Sequence, residues 1–108
     1  MRVISRARLR EFWQAHRDAE KPLIAWWKIA TGADWSNLQE VRATFPHADP
    51  VELYCGLVVT VFNIGGNKYR LITRVIYDYR RVYVKRVLTH KEYDTGKWEA
   101  QLCGEHRS

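Results

Sequence analysis

The chain predicts an α+β fold: a small antiparallel sheet with N-terminal helices packed on one face. Apolar residues in the first half recur at helical spacing, whereas the second half consists of β-branched and aromatic runs separated by short turns. No repeat, linker or low-complexity stretch interrupts either half. The 108 residues therefore read as a single domain over 1–108, long enough to bury a useful core.

Met1 to Ile4 is short enough to be an edge strand. Ser5 then suits the N-cap of a helix in which Leu9, Phe12, Trp13 and His16 fall at i, i+3, i+4 and i+7, with Arg6, Arg8, Arg10 and Arg17 on other faces. Pro22 fits the first turn of a second helix that carries Leu23, Trp26, Trp27 and Ala30 on one side, and Gly32 is its stop signal. Asp34 or Ser36 is expected to cap a third, shorter helix through Leu38, Val41 and Phe45, before a loop between Pro46 and Pro50. The spacing of Trp13, Trp26, Trp27 and Trp35 favours core packing over base stacking.

From Val51 the period changes. Val51 to Asn63 reads as one strand, Gly65-Gly66-Asn67 as a tight turn, and Lys68 to Tyr77 as a second strand. Asp78-Tyr79-Arg80 is another turn, and Arg81 to Thr89 a third strand. Short turns between consecutive strands imply an antiparallel meander. The tail from Lys91 reads as a short helix or turn, with Trp98 as its anchor.

Composition excludes several classes. Apolar residues make up 46% and charged ones 28%, which argues against wholesale disorder. Cys55 and Cys103 lie far apart, in neither a CxxC nor a metal-ligand spacing. They read as free thiols in a reducing cytosol, Cys55 packed and Cys103 in a tail. The N-terminus lacks a secretory signal, and no apolar run approaches the roughly 18 residues that span a bilayer. The expected location is the cytoplasm, without a membrane partner.

The charge is local. Between Lys68 and Lys91 stand eight Lys or Arg against one acid, Asp78, a formal +7 in a chain whose total is +6. Period-2 alternation sorts Arg70, Ile72, Arg74 and Ile76 onto one face and Tyr69, Leu71, Thr73 and Val75 onto the other. Helices on the uniformly apolar face would leave Arg70 and Arg74 open to solvent. In the third strand Lys85 and Arg86 point opposite ways, so one of them is expected near an edge. Solubility alone usually mixes Lys with Glu, so one sign of charge over two strands favours a polyanion, RNA or DNA before membrane.

Thr89-His90-Lys91-Glu92-Tyr93-Asp94 follows directly on the last strand. Imidazole exchanges protons near neutral pH, and Tyr or Lys can do so once neighbouring cations lower their pKa. Cleavage of a phosphodiester by its own 2′-hydroxyl requires a base, cations for the phosphorane and an acid for the leaving oxygen. The patch could supply all three without a metal, and no carboxylate cluster of the kind that holds Mg²⁺ lies among its bases. The alternative is a non-catalytic RNA- or ribosome-binding module using the same face.

The segment FNIGGNKYRLITRVIYDYRRVYVKRVLTHKEYD resembles the HigB-type toxins of the RelE superfamily, which are mRNA interferases of type II toxin–antitoxin systems. The turn into KYRLI, the YVKRV strand and the closing THKEYD carry the likeness, and MRVIS and Phe45-Pro46 extend it over most of the chain. The resemblance implies a RelE-like sheet and metal-independent cleavage of mRNA by 2′-hydroxyl attack, generally in the A site of the translating ribosome. It also implies a HigA-type helix-turn-helix antitoxin as partner. Residue by residue, it implies that Arg70 lies near the scissile phosphate and that His90 and Tyr93 belong to the acid–base region. Lys68, Arg74, Lys85, Arg86 and Lys91 are expected to bind RNA. Relatives more often carry Arg at the position of Lys85, where a Lys offers a point charge instead of a two-pronged contact.

Overall fold

In the computed structural model, which describes residues 1–107, a five-stranded sheet has the order β1-β5-β4-β3-β2. The elements run β1 (Arg2–Ile4), α1 (Arg6–Ala15), a 3-10 turn (Arg17–Ala19), α2 (Glu20–Gly32), α3 (Leu38–Thr44), β2 (Asp49–Glu52), β3 (Val58–Ile64), β4 (Tyr69–Ile76), β5 (Arg81–Thr89), α4 (His90–Thr95) and α5 (Lys97–Arg107). β1 is an edge strand, as its length suggested, and it pairs parallel to β5; the remaining pairs are antiparallel.

The N-terminal helices cover one face, as expected. Leu9 and Trp13 of α1, and Leu23, Trp26 and Ala30 of α2, are buried against Phe62, Leu71, Val82 and Val84 of the sheet. Trp26 meets Phe62 edge-on at 5.4 Å, and Phe45 meets the same ring at 5.3 Å. Trp35 is buried as well, while Trp27 is half-buried with the Arg6 guanidinium 4.7 Å from its ring centroid. The tryptophans of the first half thus build this core and its margin, the outcome their spacing favoured.

Five local expectations change. The cap of α3 is Asn37, whose side chain accepts from the Glu40 N–H at 3.0 Å, and not Asp34 or Ser36. The run Val51 to Asn63 is not one strand but a hairpin. Gly56, at φ 87°, lets the chain reverse between β2 and β3, and the Leu53 N–H donates to the Leu57 carbonyl at 2.8 Å. In β5, Arg86 lies opposite Ile72 but Val84 opposite Thr73, so Lys85 is an extra residue, a β-bulge. The bulge shifts the alternation, leaving Val82, Val84 and Val87 under the N-terminal helices.

The fourth change concerns the Arg-bearing face, which is not open along its whole length. Trp98, Leu102 and Cys103 of α5 are buried over Val59, Val61, Ile72, Leu53 and Leu57 in a second apolar cluster. Ile72 is apolar on the face that also carries Arg70 and Arg74, and α5 removes it from water, a large part of a Leu- or Ile-sized contribution of about 1.5–3 kcal/mol. Cys55 and Cys103 are not free thiols. They form a disulfide with Cα atoms 5.8 Å apart, joining the β2–β3 turn to α5. The pairing left no signal in the sequence because the two cysteines are 48 residues apart and only the fold brings the hairpin to α5.

Candidate active site

α5 divides the Arg-bearing face into two parts. On one side Arg70, Tyr93, Asn63, Asp49, His47 and Arg42 line a cleft of about 370 Å³. The sheet register explains most of this set: Asn63 lies opposite Arg70, and Asp49 opposite Val61 one step along β3. All four therefore belong to one face. Arg42 donates from Nε to the Ala48 carbonyl at 2.9 Å, which ties α3 to the loop that presents His47 and Asp49.

Arg70 is half-buried and held by its own turn, with Nη1 donating at 3.2 Å to the carbonyls of Asn67 and Tyr69. Its guanidinium carbon is 5.7 Å from the Tyr93 ring centroid. Tyr93 is placed by α4 and α5 together. Its ring stacks on Trp98 at 5.3 Å between centroids, and the Trp98 indole N–H donates to the Tyr93 carbonyl at 3.1 Å. Burial pushes the Tyr93 phenol above its ordinary range, and the Asp49 carboxylate pushes it further, against the opposing pull of Arg70. At neutral pH the group is a phenol, able to donate a proton.

The THKEYD segment has a structural role that the sequence reading did not assign. Thr89 Oγ1 accepts from the Glu92 N–H at 3.1 Å, while Glu92 accepts the Thr89 N–H at 3.0 Å, a complete capping box that starts α4. Gly96, at φ 72°, ends the helix. His90 is exposed in the first turn; its backbone N–H donates to the Lys68 carbonyl at 3.0 Å, and its Nδ1 is 3.3 Å from an Asp94 oxygen. His90 does not line the cleft that holds Arg70 and Tyr93.

The other cations are dispersed. Lys68 pairs with Asp18 at 3.0 Å, and Asp18 also accepts the Tyr69 hydroxyl. Arg86 pairs with Glu105 and donates to the Lys85 carbonyl at 2.7 Å. Arg74 and Lys85 line a smaller cleft of about 200 Å³ beside Glu105 and His106, beyond α5. Lys91 is exposed on α4. Sequence reasoning missed Asp49, His47, Arg42 and Asn63, because the strand pairing and the Arg42–Ala48 hydrogen bond that bring them beside Arg70 leave no mark in the sequence. The PHADP loop held the signal, a His and an Asp between prolines with no structural reason for either.

A five-stranded, mostly antiparallel sheet flanked by helices is an α+β fold consistent with the RelE-like toxins. The chain belongs to the HigB toxin family, the RelE-like toxic component of a toxin–antitoxin system, whose family model matches residues 19–96. It is similar to the mRNA interferase toxin HigB of Escherichia coli (strain K12), at 27% identity over 94 residues covering 87% of this chain and 88% of that protein. The mRNA interferase HigB of Shigella flexneri matches to the same extent. That of Escherichia coli O6:H1 (strain CFT073) is 28% identical, with 87% and 89% covered.

Proposed function

We propose that this toxin is an endoribonuclease that cleaves mRNA on the translating ribosome, in the A site, by attack of the 2′-hydroxyl on the adjacent phosphorus. The observation that carries the reading is the Arg70–Tyr93 cleft: a fixed guanidinium stands beside a protonated phenol on the half of the sheet that α5 leaves uncovered. Arg70 holds the non-bridging phosphate oxygens and stabilises the phosphorane. Tyr93 gives its proton to the leaving oxygen, and His90 serves as a supporting acid–base group at the start of α4. Lys91, Lys85, Arg74, Lys68 and Arg86 bind RNA phosphates further from that centre, the last two by exchanging Asp18 and Glu105 for phosphate. The similarity to proteins named mRNA interferase supports RNA as the substrate.

The whole chain, 1–108, acts as one toxin domain in the cytoplasm, and a HigA-type helix-turn-helix antitoxin neutralises it. No helix among the described residues is long and apolar enough to cross a membrane. Dependence on the ribosome follows from the open site: few groups surround the scissile phosphate, so an external scaffold must orient the substrate. Induced expression followed by primer extension on cellular mRNA tests the reading. New RNA ends inside translated messages, absent for Arg70→Ala, are expected. Growth arrest with intact messages and salt-sensitive ribosome binding would instead favour the non-catalytic binder.

A further inference from the structure

Transfer of the 2′-hydroxyl proton needs an acceptor beside the scissile phosphate. Arg70 and Arg42 have no lone pair to offer, and Tyr93 already holds its proton. The ring of His90 pairs with Asp94 and lies outside the cleft. Two acceptors line the cleft itself, His47 and Asp49. His47 sits in the α3–β2 loop, whereas Asp49 is the first residue of β2 and is fixed by its pairing with Val61. A site built on strands holds its groups more closely than one built on loops. Asp49 is exposed and has no ion-pair partner among the described residues, although Arg42 and Arg70 line the same cleft.

An unpaired carboxylate opposes phosphate binding, so its place in an otherwise cationic cleft requires another explanation. Resting on the ribonuclease reading above, we propose that Asp49 is the catalytic residue that accepts the 2′-hydroxyl proton of the RNA. The 2′-oxygen then forms a bond to phosphorus while the bond from phosphorus to the 5′-oxygen breaks. Tyr93 protonates that oxygen as it leaves. The products are a 2′,3′-cyclic phosphate and a 5′-hydroxyl, with no net change in protons once Asp49 passes its proton to solvent and Tyr93 recovers one.

Single-turnover cleavage of ribosome-bound mRNA by the purified chain tests the assignment, with Arg70→Ala and Tyr93→Phe as references. Asp49→Asn is expected to slow cleavage about 10²–10⁴-fold while RNA binding stays the same or tightens, because a negative charge has been removed. Asp49→Glu, which keeps the carboxylate, is expected to recover part of the rate.

Cleavage by Asp49→Asn within tenfold of wild type, equal losses in the Asn and Glu variants, or a shifted cut site at unchanged rate would each overturn the assignment. If Arg70→Ala and Tyr93→Phe slow cleavage while Asp49→Asn does not, the acceptor alone is misassigned. If the wild-type chain cuts nothing, the ribonuclease reading falls with it.

Discussion

At the residue scale the cleft depends on how Tyr93 is surrounded. Burial acts first and the Asp49 carboxylate second, both raising the phenol above 10.0, while Arg70 lowers it. Tyr93→Phe is therefore expected to reduce cleavage about 10²–10⁴-fold, the range for loss of one general acid, without changing the circular dichroism spectrum. Tyrosinate absorbance, with Tyr93→Phe subtracted, should show the Tyr93 midpoint moving down in Asp49→Asn and up in Arg70→Ala. Unmoved midpoints in both variants would mean that neither charge faces the phenol. A second coupled group lies on the other side of the sheet. The Tyr69 hydroxyl and then Lys68 hold the Asp18 carboxyl below its ordinary 3.8. A carboxyl lowered by folding adds stability that is complete above 3.8 and is lost as pH falls through the lower folded value. Thermal melts between about pH 2 and 6 should accordingly show a steeper acid decline for wild type than for Asp18→Asn; parallel curves would contradict the pairing.

At the scale of elements, α5 is what the sequence disclosed least. The helical period of Leu9, Phe12 and Trp13 and the turn signal of Gly65-Gly66 were both legible, and β5 runs over the stretch expected of it. A short helix or turn from Lys91 anchored by Trp98 was legible, and α4 fits it, but the length of α5 was not, because Leu102 and Cys103 make a short apolar stripe in a largely polar tail. The bulge at Lys85 was hidden for a related reason: one added residue leaves no mark in an alternating strand, and only the facing register exposes it. The cleft was half legible. Arg70 and Tyr93 were found from charge and motif, whereas Asp49 and Asn63 needed the pairing of β2, β3 and β4. Leu102→Ala is expected to cost about 2–5 kcal/mol in denaturant unfolding, the usual range for a buried leucine. Reducing the Cys55–Cys103 bridge should cost about 2–4 kcal/mol through the freedom returned to the unfolded chain. Two alkylatable thiols in the native, unreduced protein would show that the bridge does not form.

At the scale of the whole molecule, the excess of positive charge serves two purposes. Of the eight bases between Lys68 and Lys91, Lys68, Arg80 and Arg86 are paired with acids on other elements. Arg80 also donates at 2.9 Å to the Trp35 carbonyl and so clamps the β4–β5 turn to the chain ahead of α3. Of the remaining five, Arg70 lines the larger cleft, Arg74 and Lys85 line the smaller one beyond α5, and Lys91 is exposed on α4; the proposed reading uses these four for phosphate. Binding to ribosomes should weaken steeply with salt, each phosphate contact adding about 0.7–0.9 to the slope of log K against log salt. The most direct measurement is primer extension on programmed ribosomes treated with the purified chain. Wild type should produce new ends in the A-site codon with a 2′,3′-cyclic phosphate on the upstream fragment, and the folded Arg70→Ala and Tyr93→Phe variants should leave the message intact. Intact message under bound wild-type protein, or undiminished cleavage by those variants, would contradict the assignment of catalysis to the Arg70–Tyr93 cleft.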